Sequence, residues 1–185
     1  MKSIIFTAPS GSGKTTIVKY IIEHCSELMF SISACTRMQR TYEVNGIDYY
    51  FLSVDAFKKN IAEHQFLEWQ EVYDNGFYGT LLSEMNRIKQ LQKNLIFDID
   101  INGAKDIKQY FGNECLTIFV QPPSYKTLVK RLIERNTESK LTLNHRLEKA
   151  KLELKSANDF DIIILNKDLE IAKSQALFLV QQFLK

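Results

Sequence analysis

Between a short apolar run, Ser3 to Ala8, and a helical pattern carried by Ile17, Val18, Ile21 and Ile22 stand Pro9-Ser10-Gly11-Ser12-Gly13-Lys14-Thr15. Strand, glycine-rich turn and helix in immediate succession constrain the chain strongly, because such a unit belongs to a parallel sheet covered by helices. With Ala8 included, the segment fits G-x-x-x-x-G-K-[ST] at every defined position except the first, where alanine replaces glycine. In this arrangement backbone N–H groups and the positive end of the helix converge on phosphate oxygens. Lys14 would then bridge the outer phosphates, and the Thr15 hydroxyl would meet Mg²⁺. Ala8 is costly only at positive φ.

The rest of the 185 residues repeats the theme. Further apolar runs fall at Met29 to Ser33, Asn94 to Asp98, Cys115 to Gln121 and Asp161 to Leu165, with helical patterns between the last three. The expectation is an α/β fold of the P-loop NTPase kind, with one parallel sheet flanked by helices. From Tyr42 to Thr80 the alternation breaks into short strand-like pieces rich in aromatics, read as an inserted, partly antiparallel mixed α/β subdomain. Ser124 to Ser156 reads as two helices broken near Asn136-Thr137-Glu138-Ser139, a helical lid. This gives a single domain with a core of residues 1–33, 81–125 and 157–185, an inserted subdomain of 34–80 and a lid region of 126–156.

Charge excludes some partners. Twenty-four basic and 22 acidic residues leave a net +2, too balanced for a polybasic nucleic-acid binder, so electrostatic function must be local. The lid segment is such a place, with nine Lys and Arg against four Asp and Glu. No apolar run reaches the roughly 18 to 20 residues of a membrane span. Cys25, Cys35 and Cys115 are widely spaced and form no C-x-x-C pair, so they read as core residues. The chain is expected to be cytoplasmic.

Phosphoryl transfer needs an acceptor site and more positive charge around the transferred group. Asp98 and Asp100 close the run Leu95-Ile96-Phe97, at the strand end where open α/β sheets bind ligands, and strand alternation would put both on one side. They are candidates for Mg²⁺ or substrate. Arg37 and Arg40 follow the second run, while Arg131, Arg135 and Arg146 recur in the lid. Their planar forks suit phosphate, one cluster for an acceptor and one that a closing lid brings to the donor.

Taken in order, these segments resemble the guanylate kinase family along nearly the whole chain. Ala8 to Thr16 is similar to the family's GPSGxGKST, and Phe30-Ser31-Ile32-Ser33 with Thr36-Arg37 and Arg40 to FSVSxTTRxPR. Glu43 to Phe51 resembles GEVxGxDYxF, Phe66-Leu67-Glu68-Trp69 resembles EFLEW, Tyr78-Gly79-Thr80 resembles YYGT, Asp98 to Ala104 resembles DIDxQGA, and Pro122-Pro123-Ser124 resembles PPS.

The resemblance implies transfer of the γ-phosphoryl group of ATP to GMP, with dGMP a further candidate acceptor and Mg²⁺ as cofactor. It implies that Ser33, Glu68 and Asp100 recognise guanine, and that Arg37, Arg40, Tyr49 and Tyr78 bind the GMP phosphate with Thr80 nearby. It implies ATP contacts from Ala8, Pro9, Ser10, Gly11, Ser12, Gly13, Lys14, Thr15 and Thr16, from Arg131 and Arg135 in the lid, and from Asn166 near the adenine. Arg146 would reach both nucleotides, and Mg²⁺ would sit on phosphates, Thr15 and water with Asp98 in its outer coordination sphere. Lys14, Arg37, Arg131, Arg135 and Arg146 would be the catalytic set. Guanine over adenine also follows from chemistry, because a carboxylate at Glu68 accepts the paired N–H donors that adenine lacks.

The chain departs from the family pattern at Ala8, at Cys35, at Gln39 before Arg40, in the Asp74-Asn75-Gly76 hairpin, in the lid sequence Glu134-Arg135-Asn136-Thr137 and at Asn166-Lys167-Asp168. Two other readings compete: a P-loop kinase with another phosphate acceptor, and a catalytically inactive guanylate-kinase-like binding module. The intact Gly11, Gly13, Lys14 and Thr15 weigh against the second, and Ser33, Glu68 and Asp100 against the first.

Overall fold

Every residue of β1 (Ser3–Thr7) is buried, as a strand covered on both faces must be. It lies at the centre of a five-stranded sheet whose registered pairs are all parallel, formed with β2 (Leu28–Phe30), β7 (Asn94–Asp98), β8 (Cys115–Gln121) and β9 (Ile162–Leu165) in the order β2-β7-β1-β8-β9. The computed structural model describes residues 1–134 and 140–185, with the side chains of 73 and 140–146 outside that description.

Alternation along β1 builds two cores. Ile4 and Phe6 pack with Ile17, Val18 and Ile21 of α1 (Lys14–His24) and with Ala172, Ala176 and Val180 of α7 (Leu169–Leu184). Ile5 faces the other way, toward Ile88 of α3 (Leu82–Gln90) and Ile101, Ala104 and Ile107 of α4 (Ile101–Phe111). Each fully buried Ile or Phe here contributes about 1.5–3 kcal/mol. The three cysteines are free thiols, all buried.

The expected strand Met29 to Ser33 is shorter. Ser31 N–H still donates to Ile96 O at 3.0 Å, but the next amide, that of Ile32, turns to the Glu84 carboxylate at 2.9 Å, so the ladder ends and the chain leaves the sheet. It enters a second, mixed sheet of β3 (Ala34–Cys35), β4 (Tyr50–Phe51), β5 (Phe66–Tyr73) and β6 (Gly76–Leu81), ordered β4-β3-β6-β5. α2 (Val54–Ala62), capped by the Ser53 hydroxyl, covers it through Phe57, whose ring stacks 4.3 Å from Phe66 and 5.3 Å from Phe77. Gly79 is required by close cross-strand approach, since a Cβ would stand 2.7 Å from Glu68 O. Not all the aromatics of this region are core, for Trp69 is 41% exposed.

Glu84, fully buried on α3, joins the two sheets. Its oxygens accept from Ile32 N–H, from the Tyr50 hydroxyl at 2.9 Å and from Arg87 at 2.7 and 2.9 Å. Burial pushes this carboxyl up, yet the hydrogen bonds outweigh burial and it lies below its ordinary value. Beyond β8, α5 (Tyr125–Glu134) and α6 (Lys140–Lys155) pack through Leu128, Leu132 and Ala150. No helix among the described residues is long and apolar enough to cross a membrane.

Candidate active site

The turn between β1 and α1 takes its shape from Gly11 and Gly13, at φ 88° and 90°, which a side chain would strain. Non-glycine residues at positive φ are His64, Asn75 and Gln92 among the described residues, so Ala8 escapes the feared cost. Gly13 has a second reason to be glycine, because a Cβ would collide with Asn166 Nδ2. That amide donates to Ser12 O at 2.7 Å, so the residue following β9 clamps the loop from the far side. Asn166 is buried, and its Oδ1 has no hydrogen-bond partner among the described residues.

Lys14 Nζ lies 2.6 Å from Asp98 Oδ1 and donates to Ile99 O at 2.8 Å, while the Thr15 hydroxyl donates to Asp98 Oδ2 at 2.6 Å. One carboxylate at the end of β7 thus holds both residues that the loop presents. Asp98 and Asp100 both stand at this sheet edge, but strand alternation is not what aligns them. β7 ends at Asp98, and Asp100 caps α4, accepting from Gly103 N–H at 3.0 Å. The orphan amides of a helix start override continuation of the strand.

Across the cleft stands Glu68 of β5, only 7% exposed. Its Oε1 accepts from the Thr80 hydroxyl at 2.7 Å. Gly103 makes room for it, since a Cβ there would be 2.8 Å from Oε2. Burial pushes the Glu68 carboxyl up to about 7; the Thr80 hydroxyl opposes this, and Asp100 and Asp106 add to it. Arg37 lies between the two ends, its guanidinium 4.7 Å from the centre of the Tyr49 ring and 5.4 Å from that of Phe51. Burial also raises the Tyr49 hydroxyl. Arg40 is half exposed.

One cleft of about 980 Å³ brings together Ala8 to Thr16, Ser33, Arg37, Arg40, Tyr49, Glu68, Tyr78, Asp98 and Asp100. Thr80 stands behind it through its bond to Glu68. A smaller pocket of about 410 Å³ lies beyond the loop, lined by Gly11, Gly13, Thr16, Arg131, Asn166 and Leu169. Arg131 Nη2 reaches Asn166 O at 3.5 Å. Arg135 lies outside the described residues; Arg146 falls within α6, and its side chain is outside the description. The expected helix break at Asn136 to Ser139 also lies outside it.

Sequence reasoning missed three contributors. Lys149 and Glu153, one turn apart on α6, line the cleft; Lys149 Nζ lies 3.4 Å from Asp100 and 3.8 Å from Glu153. Burial raises the Glu153 carboxyl to about 6 against the pull of Lys149. Glu43, the third, grips Arg37. The i,i+4 spacing of Lys149 and Glu153 was readable, but nothing in it pointed to the cleft.

Comparison with known proteins agrees with this geometry. A family model described as guanylate kinase matches residues 1–182. The chain is 45% identical over 183 residues to a guanylate kinase of Bacteroides fragilis, covering 99% of this chain and 90% of that one. It is 43% identical over 184 residues to a guanylate kinase of Porphyromonas gingivalis, covering 99% and 98%. The crystal structure of guanylate kinase from Anaplasma phagocytophilum shares the fold, with TM-score 0.79 at 23% identity over 98% of this chain and 85% of that one.

Proposed function

The chain belongs to the guanylate kinase family, and on that premise we propose that it transfers the γ-phosphoryl group of ATP to GMP, giving ADP and GDP. The observation that carries this reading is the single cleft that holds a phosphate loop at one end and a buried, hydrogen-bonded carboxylate at the other. ATP would lie on residues 8–16 with its base toward Asn166 and Arg131, and Arg135 would join from the lid. Thr80 fills one acceptor site on one Glu68 oxygen, which leaves acceptor sites on both oxygens for the paired ring and exocyclic N–H groups of guanine. Ser33 and Asp100 add guanine contacts, Arg37, Arg40, Tyr49 and Tyr78 take the acceptor phosphate, and Arg146 reaches both nucleotides.

No side chain need act as nucleophile. An oxygen of the GMP phosphate attacks the γ-phosphorus, the bond to the ADP oxygen breaks, and the protein contributes position and positive charge. Lys14, anchored by Asp98 and Ile99 O, carries its ammonium at the loop, where charge develops. The divisions at 34–80 and 126–156 then correspond to a GMP-binding subdomain and a lid on the remaining core.

The donor set suits Mg²⁺. The Thr15 hydroxyl and the Asp98 carboxylate are adjacent hard oxygen donors, and no cluster of three His, Cys, Asp or Glu able to hold a metal occurs among the described residues, so phosphate oxygens and water would complete the shell. Bound there, Mg²⁺ would neutralise phosphate charge. A cytoplasmic setting, in purine nucleotide metabolism, fits three unpaired cysteine thiols.

The test is ADP release from ATP and Mg²⁺ by purified protein offered GMP, dGMP, AMP, UMP, CMP or dTMP separately. Turnover confined to GMP, with or without dGMP, is expected. Turnover with another acceptor, or none from folded protein, overturns the reading.

A further inference from the structure

We propose that Glu43 is a positioning residue for the acceptor phosphate: a carboxylate set behind the cleft that fixes the guanidinium of Arg37 in the orientation in which it meets that phosphate. The proposal rests on the reading of Arg37 as a phosphate ligand given above.

Arg37 Nη1 and Nη2 each donate to a different oxygen of Glu43, both at 2.6 Å, and Nη1 donates also to Met38 O at 3.1 Å. Of the five N–H donors of a guanidinium, three are thus taken, and the edge formed by Nε and the second hydrogen of Nη2, a two-donor fork of the shape that matches a phosphate, faces away from Glu43, with the Tyr49 hydroxyl also hydrogen-bonded to this guanidinium. The rings of Tyr49 and Phe51 fix the plane of that fork. The same carboxylate accepts from Arg40 N–H at 2.9 Å and lies 3.8 Å from the Arg40 guanidinium, so one acid sets both arginines. Gln39 donates to the backbone carbonyl of Glu43 at 2.5 Å and closes the turn.

Glu43 itself is 7% exposed and is not part of the cleft lining, whereas Arg37 and Arg40 both are. It therefore acts through them. Its carboxyl is held down to about 2, chiefly by the Arg37 hydrogen bonds, so it stays a carboxylate throughout the working pH range. A long side chain that must otherwise be ordered as ligand binds is ordered in advance.

The experiment compares wild type with Glu43→Gln in the full chain. KM for GMP is expected to rise about tenfold, with KM for ATP moving less than about twofold. Inhibition by guanosine, which lacks the phosphate, should be unchanged. In an Arg37→Ala background, Glu43→Gln should cost far less than in wild type, because only its hold on Arg40 is left. Should the glutamine variant fail to fold, Glu43→Asp retains the charge one methylene short of the fork, and the same split between GMP and guanosine is expected. Equal losses for GMP, guanosine and ATP, additivity with Arg37→Ala, or tighter GMP binding (a carboxylate that merely competes with phosphate) would each overturn the proposal. Wild type that turns over GMP with an unsplit Glu43 variant sinks only this inference, whereas wild type without GMP turnover sinks the functional reading beneath it.

Discussion

The two ends of the cleft are built by different means. At the donor end a loop leaves the central strand of a fully buried sheet, and its working parts are backbone amides and two consecutive side chains, Lys14 and Thr15, held by one aspartate. At the acceptor end the working parts are side chains on and beside a small mixed sheet, each oriented by other side chains or by the room a glycine leaves: Glu68 by Thr80 and Gly103, Arg37 by Glu43 and Tyr49. A site made of backbone is fixed by the fold. A site made of side chains needs its own scaffolding, and here that scaffolding is largely ionic.

Lys14→Ala separates the ends most sharply. It should lower turnover roughly 10³-fold while leaving GMP binding nearly intact, measured as ADP release and as GMP calorimetry. A GMP affinity that falls as far as the rate would mean the ends are not independent. Glu84→Ala tests the seam between the sheets. It strands Arg87, Tyr50 and the Ile32 amide, and denaturant unfolding should show a loss of about 3 kcal/mol. A loss below about 1 kcal/mol would show that apolar packing alone holds the two sheets together.

Glu68→Gln is the milder converse of Lys14→Ala, raising KM for GMP about 30-fold, or about 2 kcal/mol, with little change for ATP. The pH profile sharpens it. Because the carboxyl titrates at about 7, wild-type affinity for GMP should climb about tenfold from pH 6 to 8, beyond the titration of the GMP phosphate that the glutamine variant retains. The stability effect has the opposite sense. The folded value lies above the ordinary 4.5, so the folded state takes up a proton between the two values, and this group's contribution is lost as pH rises toward about 7. A Gln variant with the wild-type slope would place the titration elsewhere.

The same difference decides what could be read in advance. The phosphate loop was legible because its determinants are contiguous: a strand, glycines where φ is positive, a lysine and a threonine. Glu68, Arg37, Tyr49 and Thr80 all stand in readable motifs, but the role of Glu43 does not follow from its motif, since it differs in no local way from any solvated glutamate. Asp100 was placed at the right edge for the wrong reason, because period-two reasoning assumed a strand that helix capping ends. The second strand stops short of its apolar run for a similar cause, a side chain 52 residues away taking the Ile32 amide.

One feature of the central sheet also governs how the molecule comes into being. β1 is made well before its ladder partners, Leu95 to Asp98 on one side and Cys115 to Phe119 on the other. During synthesis it must wait, apolar and unpaired, until both have left the ribosome. The β5–β6 hairpin closes within Phe66 to Leu81 and has no such wait. The small mixed sheet is therefore set to organise early and the glycine-rich loop after β1 late, and β1 is the segment most in need of protection from aggregation until then.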